Sequence, residues 1–342
     1  MSTPMDWWSV MTETRVISIR EALNEALDEA LRTDPSVFLL GEDLADPAAG
    51  VNAVTRGLAT KYGTDRVMNT PISEAAIIGA AVGAAIEGYK PVAEIMIMDF
   101  IGIAMDQIVN HAAKVRYMSG GRTTSPITVR TSVFAGTGSG GTHSQSLEAW
   151  FMHVPGMKVV YPSNPADAKG LLLSAIFDPD PVLVIEASRL YGVKGEVPAG
   201  DGHRVPIGKA VVARPGKDLT IVTYGQATAL ALQAAERLGE EGVDAEVIDL
   251  RTLLPLDMDT VLESVGRTRR AVIAHTATTV AGPGAEIAAQ ISTKLFGMLD
   301  GPVQRVGARF TPIPARASES AVTLSVDGIV DAARSTMGAM RV

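Results

Sequence analysis

Apolar residues recur along most of this chain with one of two spacings, and these spacings predict an alternation of helices and strands. Residues 19–32 repeat Ala and Leu every three or four positions with acids between them, which predicts an amphipathic helix. Residues 37–40 form a short apolar run, which predicts a buried strand. The other predicted helices are 51–62, one that begins between 71 and 73 and ends at 88, 99–118, 166–177, 227–238, one around 261, and 285–295, and the other strands are 92–98, 127–134, 158–161, 182–185, 219–224, 245–249, 271–274 and 303–306.

A glycine- and proline-rich stretch at residues 191–206 interrupts this alternation, which then resumes. At about 150 residues per domain, a chain of 342 residues is long enough for two domains. Strands separated by helices predict parallel sheets with helices on both faces, so the predicted fold class is α/β with two such domains. The predicted division is an N-terminal arm at 1–13, a first domain at 14–190, a linker at 191–210 and a second domain at 211–342.

The helix that ends at Gly88 consists almost entirely of small and apolar residues, with Glu74 at its head. Its apolar run is too short to span a bilayer, which needs about 20 residues, so we predict a core or interface helix without a solvent face. Glu74 has two interpretations. A first-turn acid complements the helix dipole, whereas a carboxylate in an apolar wall has a perturbed pKa that suits proton chemistry.

Composition narrows the possible functions. The net charge of -8 and the lack of a Lys/Arg run argue against nucleic acid as a partner. The chain has no cysteine and therefore no disulfide, catalytic thiolate or cysteine-ligated metal, which is compatible with a cytoplasmic location. The first residues, MSTPMDWWSVMTETR, lack the basic and apolar regions of a secretory signal, and neither secretion nor a membrane is expected.

Two predicted strand ends carry side chains suited to ligand binding or catalysis. The strand 37–40 runs into Glu42 and Asp43, which form either a solvated turn or a ligand-facing loop. The strand 127–134 ends in GTGSGG, which satisfies G-x-G-x-x-G, but the next strand offers no acid for a ribose hydroxyl of a dinucleotide. His143 follows this loop, where open α/β sheets bind their ligands, and is either catalytic or structural. A metal site is disfavoured, because no two histidines are four residues apart.

The motifs of both predicted domains resemble one family. From about Thr14 onward the chain is similar to the beta subunit of the thiamine-diphosphate-dependent decarboxylating component of 2-oxo acid dehydrogenase complexes, in the pyruvate and acetoin dehydrogenase group. This family implies a pyrimidine-binding domain followed by a transketolase C-terminal-like domain. The matching segments are REALNEAL, LLGED, NTPISE, GAAVGAA, MDQIVNHAAK, YMSGG, GTHSQSLEAWFMHVPGMKVVYPSNPADAKGLL, LYGVKGEVP, PIGKA and VIDLRTLLPLD.

The resemblance implies roles for three residues. The acid of the T-P-I-S-E motif, here Glu74, is expected to hydrogen-bond the aminopyrimidine ring nitrogen of thiamine diphosphate and so to help generate the ylid. Phe100 matches the aromatic residue that packs against the pyrimidine. The histidine of the H-S-Q motif, here His143, is expected to interact with substrate and to help pass the acyl group to a lipoyl arm.

The resemblance also implies metals and a partner chain. A structural potassium ion is expected at backbone carbonyls of Ile127, Ala175, Asp178 and Asp180. The family binds magnesium and the diphosphate through a G-D-G motif, with a later Asn, on a separate alpha subunit. This chain has G-D-G only at 200–202, within the predicted linker and without a later Asn, so we interpret it as unrelated. The chain is expected to hold only the pyrimidine half of the cofactor, in a heterotetramer of two alpha and two beta subunits.

Two segments of the second domain depart from the family pattern. Residues 274–277 read AHTA where relatives read valine-glutamate-glutamate-glycine, and residues 314–318 replace a proline-tyrosine segment. In the family this domain helps to dock a lipoyl acyltransferase. The two departures leave open whether this chain has that partner. One alternative is a stand-alone transketolase-like pair that transfers a two-carbon or acyl unit to a carrier protein. The other is a non-catalytic paralogue, which retention of the three site residues argues against.

Overall fold

The computed structural model of the chain describes residues 13–338. Most strands of the first half form one large sheet, and helices connect them. Its strands are β1 (Thr14–Ser18), β2 (Val37–Gly41), β3 (Val67–Asn69), β4 (Lys90–Ile95), β5 (Thr128–Val133), β6 (Lys158–Val160), β7 (Val182–Ala187) and β8 (Lys194–Pro198). Its α-helices are α1 (Ile19–Thr33), α2 (Leu58–Tyr62), α3 (Glu74–Ile86), α4 (Val115–Met118), α5 (Glu148–Met152) and α6 (Pro165–Ile176).

The second half of the described chain contributes a smaller sheet and α-helices of 11 to 15 residues. Its strands are β9 (Val211–Arg214), β10 (Leu219–Thr223), β11 (Ala245–Asp249), β12 (Thr252–Leu254), β13 (Ala271–Thr278) and β14 (Gln304–Ala308). Its α-helices are α7 (Gln226–Glu240), α8 (Met258–Thr268), α9 (Pro283–Lys294) and α10 (Val326–Gly338), and a 3-10 helix spans Arg316–Ala321.

Both sheets are parallel apart from one edge strand each. The seven-stranded sheet has the order β12-β6-β7-β5-β4-β2-β3, and the five-stranded sheet has the order β14-β13-β10-β11-β9. Every residue of β5 and β7 is buried, as is typical of parallel strands covered by helices on both faces. The predicted α/β class with two parallel-sheet units is therefore confirmed.

Two strand pairings join parts of the chain that are distant in sequence. β12 from the second half pairs antiparallel with β6 and becomes an edge of the first sheet. β8, inside the stretch predicted as a linker, pairs antiparallel with β1. The rings of Tyr161 and Tyr224 also meet across the two halves, with centroids 5.7 Å apart. These contacts hold the carboxyl ends of strands from both sheets next to one another.

Three predicted helices differ from the structure. Only Leu58–Tyr62 of the predicted helix 51–62 is helical, because Ala53 and Gly57 have positive φ angles of 54° and 81°. The predicted helix 99–118 is a succession of a 3-10 helix, a π-helix and α4, although its apolar face is buried as expected. Helix α3 is not buried on every side in the chain by itself, since Ile86 and the small residues Ala76, Ala80 and Gly83 are exposed.

Among the described residues, no helix is long and apolar enough to cross a membrane. The predicted N-terminal arm lies outside the described residues, apart from Glu13.

Candidate active site

The three residues of the predicted site follow three strands of the larger sheet that are consecutive in the chain. Strand β2 pairs with both β3 and β4, and β4 pairs with β5, all in parallel register. Glu74 follows β3, Phe100 follows β4 and His143 follows β5. Because the carboxyl ends of parallel strands lie at one edge of a sheet, all three side chains belong to the same edge, where such sheets bind ligands.

Glu74 is the first residue of α3 and is 9% exposed. The preceding Ser73 makes no side-chain hydrogen bond to the helix, and within residues 13–338 no donor is bonded to the Glu74 carboxylate. Burial raises the pKa of Glu42, and the charges of Asp43 and Glu74 raise it further. Glu42 therefore lies close enough to Glu74 for their charges to interact.

Phe100 and His143 contact one another directly. Their ring centroids are 5.3 Å apart with an interplanar angle of 83°, which is an edge-to-face arrangement. Phe100 lies in the 3-10 helix Met98–Ala104, whereas His143 lies in an irregular segment, with its Nδ1 3.0 Å from the Thr142 hydroxyl. The aromatic residue and the histidine predicted from the family motifs thus form one wall of the site.

Asp99 contacts the segment that carries His143, although none of the sequence motifs singled it out. Its carboxylate accepts a hydrogen bond of 2.8 Å from Nε2 of Gln145, with the Gln145 backbone N–H at 3.3 Å. Burial raises the pKa of Asp99, while the hydrogen bonds from Gln145 and the nearby His143 act in the opposite direction. Asp99 therefore anchors the segment that carries His143. Its position next to Phe100 was the available signal in the sequence.

The glycine-rich loop 136–141 does not form a dinucleotide site of the Rossmann type. In that arrangement the loop opens a helix whose first N–H groups bind the pyrophosphate. Here turns and irregular backbone follow the loop, and the next helix, α5, begins only at Glu148.

A cavity of about 360 Å³ lies behind the segment that carries His143. Gln145, Ser146 and Leu147 form its first-domain wall, and residues 276–278 and 308–313 form the opposite wall. The two walls meet where the Ser146 hydroxyl lies 3.3 Å from the Thr276 hydroxyl. The second domain therefore borders the candidate site directly.

A buried polar cluster fixes Glu148, which lies in the sequence motif that contains His143. The Tyr224 hydroxyl donates a 2.8 Å hydrogen bond to Glu148, whose pKa burial raises. His275 stacks on Tyr224, with ring centroids 6.1 Å apart, and its Nδ1 lies 3.0 Å from the Ala277 carbonyl oxygen. Burial lowers the pKa of His275 to about 4. His275 is therefore neutral at pH 7 and belongs to this domain contact.

The four residues predicted for potassium lie at one corner of the first domain. The Ile127 carbonyl accepts from the Val182 N–H, and the Ala175 carbonyl accepts from the Asp178 N–H. Both oxygens of the Asp178 carboxylate are 2.7 Å from Lys158 Nζ, and Arg116 pairs with Asp180. The carboxylates are thus already neutralised, and a cation at this corner would depend on backbone carbonyls.

Within the described part of the chain, no group of three or more His, Cys, Asp or Glu could hold a metal ion. The G-D-G stretch at 200–202 lies after β8, and Asp201 forms an ion pair of 2.7 Å with Arg32.

Comparison with known families defines the class of both domains. The family described as "Transketolase, pyrimidine binding domain" matches residues 15–194, and the family described as "Transketolase, C-terminal domain" matches residues 208–329. A solved structure described as a split-gene transketolase, an inactive beta4 tetramer, superposes with a TM-score of 0.78 at 26% identity, over 95% of this chain and 99% of that one. The chain has the two-domain transketolase fold.

Full-length relatives narrow this class. The beta subunit of the acetoin:2,6-dichlorophenolindophenol oxidoreductase of Cupriavidus necator is 47% identical, over 94% of this chain and 98% of that protein. The mitochondrial beta-2 subunit of the pyruvate dehydrogenase E1 component of Oryza sativa is 45% identical, over 93% of this chain and 85% of that protein. The chain belongs to the family of 2-oxo acid dehydrogenase beta subunits, which confirms the resemblance seen in its motifs.

Proposed function

We propose that this chain is the beta subunit of a thiamine-diphosphate-dependent 2-oxo acid dehydrogenase that decarboxylates a pyruvate-like substrate and passes the acyl unit to a lipoyl group. The observation that carries this proposal is the contact between Phe100 and His143 at the sheet edge where Glu74 opens α3. A pyrimidine-binding fold with these three side chains matches what the family chemistry requires.

The buried carboxylate of Glu74 fits the pyrimidine half of thiamine diphosphate. When bound, this cofactor supplies the carbon nucleophile and the electron sink for decarboxylation. The Glu74 carboxylate, free of donors within residues 13–338, would hold a proton at the pyrimidine ring nitrogen. The ring of Phe100 would provide the apolar surface against which the pyrimidine packs.

His143 has a different role in this proposal. Its ring lies against Phe100 on an irregular segment anchored by Asp99 through Gln145. Histidine side chains commonly serve as general acids and bases. His143 would therefore act on the substrate carboxylate or on transfer of the acyl unit, after Glu74 has done its work.

The chain would be active only with an alpha subunit that supplies magnesium and the diphosphate site, in a heterotetramer of two alpha and two beta subunits. The exposed face of α3, made of Ile86 and the small residues Ala76, Ala80 and Gly83, supports this assembly, because small residues allow another backbone to approach closely. A structural potassium ion near Ile127 and Asp178 and a cytoplasmic location also belong to the proposal.

Reconstitution tests this function. The chain is purified with and without an alpha subunit, and decarboxylation of pyruvate and acylation of a free lipoyl domain are measured. We expect both activities in the pair and neither in the beta chain alone. Calorimetry should likewise show tight, magnesium-dependent binding of thiamine diphosphate only to the pair. Tight binding by the isolated chain, or decarboxylation without any lipoyl acylation, would contradict the proposal.

A further inference from the structure

The loop 136–141 is held in place by a residue of the second domain. Glu319, in the 3-10 helix Arg316–Ala321, is 3% exposed although it is charged. One of its carboxylate oxygens accepts a 2.6 Å hydrogen bond from the Gly136 N–H, and the other accepts from the Gly138 N–H. A buried carboxylate with two charge-assisted hydrogen bonds to one loop fixes both the position and the orientation of that loop.

The backbone around Glu319 follows the same loop. The Arg316 N–H donates a 3.0 Å hydrogen bond to the Gly138 carbonyl, and Ser139 forms an isolated antiparallel bridge with Ala315. Gly138 has a φ of +81°, and a Cβ there would come within 3.0 Å of Arg316 Cα. The segment around residue 315 and the loop therefore lie so close together that a side chain at Gly138 would crowd the Arg316 backbone.

The anchored loop leads directly to the catalytic segment. The His143 N–H donates a 3.2 Å hydrogen bond to the Gly140 carbonyl, so the turn that ends at His143 begins inside the loop. On the far side of the histidine, Gln145 is bonded to Asp99. His143 thus lies between the loop that is bonded to Glu319 of the second domain and Gln145, which is bonded to Asp99 of its own domain.

We infer that Glu319 is a positioning residue for His143, and that through it the second domain sets the geometry of the acyl-transfer step. The inference rests on the proposed function for the role of His143, but the anchoring of the loop can be tested without it. The segment 314–318 then also has a specific role, because it lies along the loop and leads directly into Glu319. Glu74 is on a different element and should be unaffected.

The first test compares Glu319→Ala, Glu319→Gln and the control Glu286→Ala, an exposed glutamate of α9 in the same domain, each in complex with the alpha subunit. Three quantities are measured: amide hydrogen exchange of residues 134–142, hydrogen–deuterium exchange at the thiazolium carbon, and acylation of a lipoyl domain. For Glu319→Ala we expect rapid amide exchange at Gly136 and Gly138 and a loss of about 10- to 100-fold in acylation, since displacements near 1 Å have costs of this size. Thiazolium exchange should be unchanged.

Glu319→Gln should be intermediate in both amide protection and acylation, because its amide oxygen can still accept from one of the two N–H groups. Such a partial rescue by the isosteric side chain is not expected from a residue that only stabilises the fold. Equal loss of thiazolium exchange and acylation would mean that Glu319 is merely structural and would overturn the inference. Normal amide protection in Glu319→Ala would overturn it as well.

A second variant tests the contact from the loop side. Gly138→Ala should push the loop away from Arg316 and cause the same selective loss of acylation. The control is Gly242→Ala, where φ is +82° but no atom lies within 4 Å of the new Cβ. Normal acylation by Gly138→Ala would contradict the inference. If the wild-type pair shows no thiazolium exchange, the proposed function fails, and the amide-exchange measurement alone decides whether Glu319 anchors the loop.

Discussion

Asp249 is the residue whose replacement should change the pH dependence of stability most clearly. It ends β11, is 1% exposed, and accepts hydrogen bonds from the Ser163 hydroxyl and, at 3.0 Å, from the Arg251 N–H. Burial raises the pKa of its carboxyl from 3.8 to about 7, and the nearby Asp167 adds to the rise. The folded chain therefore binds this proton more tightly than the unfolded chain between pH 4 and 7.

The sign of the effect follows from this difference. A raised carboxyl pKa stabilises the fold at low pH, and this stabilisation is lost as the pH rises through the folded pKa. At about 1.4 kcal/mol per pKa unit, ionisation of Asp249 costs the folded state about 4 kcal/mol above pH 7 and less than half of that at pH 5. Asp249→Asn, which is uncharged in both states, should lack this cost. The free energy of unfolding of the variant, relative to that of the wild type, should therefore rise by about 2–3 kcal/mol between pH 5 and pH 8.

The assay is urea unfolding of wild type, Asp249→Asn and Asp259→Asn, followed by circular dichroism at several pH values from 5 to 8. Asp259 is an exposed acid in the first turn of α8 and serves as the control. Because wild type and variant share all other titrating groups, only the difference between their pH profiles is interpreted. Parallel profiles for wild type and Asp249→Asn would refute the reasoning.

Two further predictions concern the contact between the domains. His275, with a pKa lowered by burial to about 4, contributes stability that is present above pH 6.5 and lost as the pH falls to 4. His275→Gln should lack this contribution, so its free energy of unfolding should fall by about 2 kcal/mol less than that of the wild type between pH 7 and pH 5, measured by urea unfolding. Gly225→Ala should destabilise the chain by more than about 2 kcal/mol, because its Cβ would lie 2.5 Å from the Tyr161 ring. Gly242→Ala is the control, and equal thermal midpoints for the two variants would contradict this prediction.

Much of the fold could be predicted because its buried parallel strands are short, apolar and separated by helices. Strand β11 was predicted with its observed bounds, and α1 within one residue. The edge strands β9 and β12 were not predicted. Each depends on a partner distant in sequence: β12 pairs with β6, roughly ninety residues away, and only the folded chain brings the two together. Local spacing contains no signal for such a pairing.

The candidate site, like the fold, contains residues that the sequence predicts and residues that it does not. Glu74, Phe100 and His143 could be named because they lie in motifs that a family shares. Asp99 and Glu319 could not, since their importance comes from partners 46 and 181 residues away in the chain. Their chemistry, a carboxylate that accepts backbone or amide N–H groups, is common to many structural acids, and the position of Asp99 next to Phe100 was the one signal that the sequence offered.

The central claim is that Glu74 and His143 serve different steps, and one experiment on the reconstituted pair tests it directly. Hydrogen–deuterium exchange at the thiazolium carbon is measured for wild type, Glu74→Gln, His143→Ala and the control Glu87→Gln, an exposed acid at the other end of α3. We expect Glu74→Gln to slow the exchange by about 100- to 10,000-fold, while His143→Ala exchanges normally yet fails to acylate a lipoyl domain. Normal exchange by Glu74→Gln would show that this carboxylate only complements the helix dipole, and equal loss of exchange in both variants would contradict the division of roles.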